Sequence, residues 1–570
     1  MPTLRHGLKR LNPLRLWQLV RRAALALANW RKRRVKHLDY LVLTLPGTMP
    51  ALPERRPWLM QRVLGQPPLS LYELGQAFER IAADPRLKGV VLRLRVGGLA
   101  MSLADLQTLR GLILRLRAAG KRVACFAMNY ETRGYTVASA ADDVLLGAGG
   151  EFYPVGVRIG ITYLRETLDL LGVQASLVQI TPYKSAMERF TRRFPSPENE
   201  EQIEWLLDSR YEQIVAGIAA GRGLTPEAVR AMFDGAPHLA SEALAAGYVD
   251  AVLSEEELPA YLGAEHLVPW ARGIKALPQA WQPRADRAIK ILPMTGNQVE
   301  GESQQPPVEL PIPFIGGERM GSFTVVQQVR NLMRDTRAAA VVLFIDSDGG
   351  SSSAVEEMIG ALRELAADRP VVAYFNGAAA SGGYYVAMPA AHIVAQSGTI
   401  TGSIGVYTAK LSASGGGLAG RLGFNTVEFL RGANANLTSL STPWSEEQLR
   451  RERRVVEDVY RRFVAAVAQS RGMAAEAVDA VGGGRVWTGT QALAHGLVDE
   501  LGGLEAAVAK ARELAGLPAD APVEIVTGKG KPLGPQLTEV NNPAAALRYL
   551  QEGLAQLSQG VQVRMQIRWE

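Results

Sequence analysis

Along this chain, short apolar runs alternate with segments whose apolar positions recur at helical spacing. The runs Tyr40–Thr44, Val90–Leu94 and Val123–Met128 read as buried strands, and the segments Leu71–Ala83 and Leu103–Ala118 between them as helices. The same order returns after residue 287. Strand Ile289–Leu292, helix Phe323–Met333, strand Val341–Ile345, a glycine turn at Gly349-Gly350, helix Ala354–Ala366 and strand Val371–Phe375 repeat it. Alternation of this kind predicts a mainly parallel, layered α/β fold.

Single residues line up as well. Gly134-Tyr135-Thr136-Val137-Ala138 corresponds to Gly383-Tyr384-Tyr385-Val386-Ala387. Ala243-Leu244-Ala245-Ala246-Gly247-Tyr248-Val249-Asp250 corresponds to Ala492-Leu493-Ala494-His495-Gly496-Leu497-Val498-Asp499, and both pairs are offset by 249 residues. An offset held over that span means a tandem duplication. The predicted organisation is an N-terminal arm (1–37), a first repeat (38–262), a linker (263–286), a second repeat (287–515) and a tail (516–570) with an amphipathic segment at Ala544–Leu557.

Composition narrows the chemistry. The chain has 570 residues and a net charge of +7, but eleven Lys/Arg and no acid fall within residues 1–37, so the remainder is mildly acidic at −4. No basic body surface for nucleic acid is expected. Leu16, Leu19, Val20, Ala23, Leu27 and Trp30 share one helical face of the arm, with Arg15 and Arg22 opposite. Such a helix suits either an anionic membrane surface or a neighbouring subunit, and it is too short in its apolar run to span a bilayer. Cys125 is the only cysteine, and the six histidines form no HExxH pair, so neither a metal nor another cofactor is called for. Gly415-Gly416-Gly417 lacks the Lys-Ser/Thr of a phosphate loop and reads as a flexible loop.

The candidate chemistry emerges when the copies are compared. Ala380-Ser381-Gly382-Gly383 joins the run ending at Asn376-Gly377 to a helix start. A serine there is either an N-cap or a nucleophile beside free N–H groups. The first repeat has Thr132 at this position. It carries instead Tyr183-Lys184-Ser185-Ala186 after the strand Ser176–Ile180, where the second repeat has Ala435. One copy holds a serine and the other a lysine, as expected if one site draws on both. Lys184 is either a solvated surface lysine or, once desolvated, a neutral base for Ser381. Ser403, in the turn Thr401-Gly402-Ser403-Ile404, either bonds its own backbone or holds the lysine. The Gly349-Gly350 turn is either an ordinary connection or half of an oxyanion hole. His392 reads as a connector residue, not a base.

Ser-Gly-Gly-Tyr-Tyr at 381–385, Thr-Gly-Ser-Ile-Gly-Val at 401–406 and Tyr-Lys-Ser-Ala at 183–186 together resemble the signal peptide peptidase A (protease IV) family in its long, duplicated form. The resemblance covers about residues 38–515. It implies a tandem duplication of a crotonase/Clp-protease-like α/β domain and a Ser/Lys dyad that cleaves hydrophobic peptides such as released signal peptides. It further implies a homotetramer at the cell membrane, the arm serving as the peripheral or anchoring element. Carried over, Ser381 is the nucleophile, Lys184 the base and Ser403 the hydroxyl that orients it. Oxyanion donors would be the N–H of Gly382 and of Gly349 or Gly350. The chain departs from the family at Ser347-Asp348-Gly349-Gly350, where Ser-Pro-Gly-Gly is usual, and in having a basic arm where a transmembrane anchor is common. The alternatives are a crotonase-like acyl-thioester hydrolase and an inactive membrane scaffold.

Overall fold

The computed structural model describes the chain from residue 13 onward, apart from residues 36, 55–60, 63–64, 96, 280–285, 306–316, 414–419, 421–422, 424–425, 528–530, 533–561 and 565–570. The segments Ala544–Leu557 and Gly415–Gly417 singled out above lie outside the described residues. Two compact units are present. The first comprises Met1–Met101, Asp105–Gly156 and Ile214–Arg284, and the second comprises Ser102–Ala104, Val157–Gln213 and Ala285–Glu570. Residues 157–213, which belong to the first repeat by sequence, thus fold with the second unit.

The first unit is built on a six-stranded, wholly parallel sheet. Its order is Ala251–Leu253, Asp143–Phe152, Arg122–Tyr130, Gly89–Leu94, Tyr40–Leu45, Leu267–Pro269. Its central strands are apolar on both faces, as a sheet covered on both sides requires.

The second unit has the corresponding parallel order, Glu500–Leu501, His392–Ala395, Val371–Ala380, Ala338–Ser347, Ala288–Thr295, Val523–Ile525. Its sheet of eight adds Ile400–Gly402 beside the end of Val371–Ala380, and Val486–Thr488 antiparallel to Ile400–Gly402. A second sheet of eight short strands holds the strand that leads to Lys184. It includes Arg319–Gly321, Asn297–Val299, Gly349–Ser351, Gln562–Arg564, Tyr407–Ala413 and Val173–Gln179 in that order. The last pairing is antiparallel through seven residue pairs, from Tyr407 with Gln179 to Ala413 with Val173, and it attaches the first-repeat segment to the second unit.

The duplication extends to side-chain locks. In the first unit, Arg222 grips Asp250 with two bonds of 2.8 Å, Asp250 accepts from Val144 N–H at 2.7 Å, and Tyr135 Oη donates to Tyr248 O at 2.8 Å. In the second, Arg471 grips Asp499, Asp499 accepts from Ile393 N–H at 2.8 Å, and Tyr384 Oη donates to Leu497 O at 2.8 Å. Every partner is shifted by 249 residues. The Gly-x-Val-Asp signature in each repeat therefore exists to cap a strand N–H with a carboxylate neutralised by the last turn of the long helix.

One strand differs from expectation. Asn376-Gly377 does not close the strand, which runs on to Ala380. Asp346 accepts from Asn376 Nδ2 at 2.8 Å and from Ala378 N–H at 3.1 Å, across an irregularity in register between Ile345 and Ser347. The carboxylate satisfies the backbone and amide where the ladder slips, so the chain stays extended and the turn moves to Ser381.

Candidate active site

Ser381 is fully buried at the junction between the strand Val371–Ala380 and the short helix Gly382–Tyr385. Its backbone sits at φ 58° and ψ −119°, a conformation suited to glycine. The turn is held by Ser381 N–H donating to Gly402 O and by Tyr385 N–H donating to Ser381 O, at 2.8 and 2.9 Å. Its hydroxyl makes no helix-capping bond, so the N-cap alternative does not describe this side chain. The hydroxyl faces Lys184 instead.

Lys184 follows the strand Val173–Gln179 and precedes a single 3₁₀ turn, Ser185–Met187. It is 1% exposed. Nζ lies 2.6 Å from Ser381 Oγ, 2.9 Å from Ser403 Oγ and 2.9 Å from Ser403 O. Burial holds its pKa well below the ordinary lysine value. A neutral amine has one lone pair and two N–H donors. As the ammonium, Nζ donates to all three oxygens; with its proton lost, the same geometry lets the Ser381 O–H donate to the lone pair while the two remaining N–H groups donate to Ser403.

Ser403 is itself in the left-handed region, at φ 51°, with its N–H donating to Arg485 O at 2.6 Å. Thr401 Oγ1 donates to Ala379 O at 2.6 Å and ties its strand to that of Ser381. The three polar side chains named from the sequence are therefore within one hydrogen-bonded cluster of the second unit and of a single chain. His392 lies elsewhere, its Nε2 3.1 Å from Glu500 Oε2.

A segment that sequence reasoning passed over seats the lysine. Gly484, at φ 87°, approaches so closely that a Cβ on it would lie 2.5 Å from Lys184 N and 2.7 Å from its Cα. Thr181 Oγ1 donates to Gly483 O, and the Arg485 guanidinium lies 3.9 Å from the Tyr183 ring. The run Gly482-Gly483-Gly484 before the strand Val486–Thr488 was the available signal. Trp205 Nε1 donates to Val486 O at 2.8 Å and its ring stacks on Trp487 at 4.8 Å, fixing that strand.

Gly382 occupies the first helical position, where an N–H has no intrahelical acceptor. Gly349 and Gly350 belong to a three-residue strand, Gly349–Ser351, with Gly349 at φ 104°. The Gly349 N–H donates to Ser347 Oγ at 3.2 Å. Beyond this strand's edge, Gln562–Arg564 pairs with it antiparallel, and Gln562 also pairs with Tyr407.

The corresponding place in the first unit is differently furnished. Thr132 stands where Ser381 does in the second, and its buried hydroxyl has no partner among the described residues. The Glu131 carboxylate accepts from Arg133 N–H at 2.5 Å and Gly134 N–H at 2.6 Å, so the N–H groups of that helix start are already satisfied. Among the described residues one set brings metal-ligating atoms within 4.8 Å of one another, the exposed His37, Glu265 and His266 of the first unit.

A buried serine against a desolvated lysine, beside a helix start and a glycine-rich strand, is the constellation of a hydrolase that acts through a serine. The family model described as Peptidase family S49 matches residues 115–266 and 363–518, and the chain belongs to that family. The matches fall in both repeats, in keeping with the tandem α/β organisation. A chloroplastic serine protease SPPA of Arabidopsis thaliana is 28% identical over 472 residues, covering 80% of this chain and 68% of the relative. Protease 4 of Salmonella typhi is 30% identical over 468 residues, covering 79% and 72%. A protein of Enterococcus faecium that carries the name signal peptide peptidase is 34% identical over 178 residues, covering 31% and 51%. The chain is a serine protease of the long, duplicated kind.

Proposed function

We propose that this protease is a membrane-associated endopeptidase that degrades hydrophobic peptides, such as cleaved signal peptides, through a Ser381/Lys184 dyad. The observation that carries the reading is the 2.6 Å approach of Lys184 Nζ to Ser381 Oγ between two buried side chains. Neutral Lys184 takes the Ser381 proton as Oγ attacks the scissile carbonyl. Ser403 holds the amine in line by accepting its two N–H groups. The Gly382 N–H stabilises the oxyanion, with the Gly349-Gly350 strand beside it. Protonated Lys184 then gives its proton to the leaving amine, and water releases the acyl group by the same steps in reverse roles.

Peptide binding by strand addition is supported by the pairing of Gly349–Ser351 with residues 562–564, an extended backbone laid antiparallel beside that strand. Signal-peptide substrates are supported by the name of the Enterococcus faecium relative. The membrane reading rests on the basic arm and a homotetramer on the family resemblance. No helix among the described residues is long and apolar enough to cross a membrane. With the family known, the thioester and scaffold alternatives have nothing in their favour.

Ser381→Ala is expected to reduce hydrolysis of a hydrophobic peptide to background. Lys184→Arg and Lys184→Ala should both lose about 10²–10⁴-fold in kcat, because a guanidinium stays protonated and cannot take the serine proton. The wild-type rate should rise with pH along a limb set below the ordinary lysine range, following loss of the Lys184 proton. Substantial activity in Lys184→Arg would mean that another group activates the serine.

A further inference from the structure

The strand Asn297–Val299 lies between Gly349–Ser351 and Arg319–Gly321, parallel to both, and pairs Gln298 with Gly350 and with Met320. Gln298 is 0% exposed, and among the described residues neither its Oε1 nor its Nε2 has a hydrogen-bond partner. Its carboxamide lies against the residue that follows Ser381. A Cβ on Gly382 would sit 2.1 Å from Gln298 Oε1, 3.0 Å from Val355 Cγ2 and 3.2 Å from Gly349 Cα. The amide thus lies between the helix start and the glycine strand, the two backbone segments assigned above to the oxyanion.

An unpaired buried amide lowers stability, and nearly all buried polar side chains avoid that state. A methionine or isoleucine would fill the same volume without the loss, so packing does not account for a glutamine here. A donor is also short at this place. The Gly349 N–H is engaged by Ser347 Oγ at 3.2 Å, and that hydroxyl in turn donates to Gly296 O at 2.6 Å.

We propose that Gln298 is a catalytic residue, its Nε2–H donating to the oxyanion of the tetrahedral intermediate beside the Gly382 N–H. This rests on the reading of Ser381 as nucleophile. A half-turn about the terminal torsion of the side chain exchanges Oε1 for Nε2 at the face of Gly382, and no existing hydrogen bond opposes it. The Ser381 Oγ–carbon bond forms, the carbonyl π pair moves onto the oxygen, and the serine proton goes to Lys184. Gln298 transfers no proton. It stabilises the charge and releases it when the carbonyl re-forms.

The test uses the full chain with Gln298→Met and Gln298→Glu, a hydrophobic peptide substrate, and a peptide aldehyde that adds to the serine as a tetrahedral adduct. Gln298→Met should lower kcat about 10²–10³-fold with KM within about threefold, the effect of removing one oxyanion donor. Aldehyde binding should weaken by a similar factor. In a Ser381→Ala background, the same change should leave binding of the intact peptide unaltered. The melting temperature of Gln298→Met should equal or exceed that of the wild type, since two unpaired polar atoms are removed. Gln298→Glu should be slower still, and increasingly so as its carboxyl ionises. A Gln298→Met enzyme within threefold of the wild-type kcat would overturn the proposal, as would a loss shared between KM and melting temperature with aldehyde affinity unchanged. Peptidase activity in Ser381→Ala alone would instead remove the nucleophile reading, whatever Gln298 does.

Discussion

At Ser381 the chain holds a side-chain-bearing residue at φ 58° and ψ −119°. Strain of this kind costs about 1–3 kcal/mol and persists where the surroundings over-determine it. Here the strands of Gly402 and Ala380 and the helix behind Tyr385 do so. Ser381→Ala keeps a Cβ in the same conformation, whereas Ser381→Gly removes it. Both variants should be inactive, yet the glycine variant should be the more stable by about 1–2 kcal/mol in denaturant titrations. Equal stability would mean that the turn relaxes around a Cβ at no cost. Lys184 shows the complementary economy of a buried base: its low pKa needs no cationic neighbour, because desolvation alone disfavours the charge.

The elements around the site depend on locks at strand ends. Burial by itself would raise the Asp499 carboxyl, but the Arg471 hydrogen bonds, the Ile393 N–H and the Arg471 charge together bring it below its ordinary value. A depressed carboxyl contributes stability that is present above its unfolded pKa, about 3.9, and is lost as pH falls through the folded value. Asp499→Asn should therefore destabilise by about 2 kcal/mol at pH 7, the worth of hydrogen bonds to a charged group. The gap to the wild type should close as the solution is acidified below about pH 4. A gap that stayed constant through acid would mean that the aspartate contributes by shape and not by charge.

For the whole molecule, the uneven charge decides where a membrane would be met. The helix Pro13–Arg33 is tied to the first unit near its end, where Asn29 Nδ2 donates to Gln279 O at 2.8 Å and Arg86 donates to Lys32 O at 2.7 Å. Val20, Leu27 and Trp30 remain 50–61% exposed. An apolar, basic face of this kind should bind vesicles containing anionic lipid, more weakly as salt rises. Leu27→Ser with Trp30→Ser should reduce co-sedimentation with such vesicles while peptide hydrolysis in solution is retained. Unchanged co-sedimentation would move the membrane contact elsewhere on the protein.

Local pattern was enough to find the repeats, the layered α/β class and the strand-to-helix turn at Ser381, because apolar period and glycine punctuation are written in neighbouring residues. Comparison of the copies singled out Lys184, and Ser403 was named beside it. What the sequence could not determine depends on residues far apart in the chain. The antiparallel pairing of Val173–Gln179 with Tyr407–Ala413 draws residues 157–213 into the second unit. The close approach of Gly484 to Lys184 and the unpaired amide of Gln298 behind Gly382 arise only once those strands are in register. The Asn376-Gly377 pair reads as a turn until Asp346 is beside it. Burial, and with it the lowered pKa of Lys184, belongs to the packed fold, because only packing takes water away from an amine that the sequence alone leaves free to be solvated.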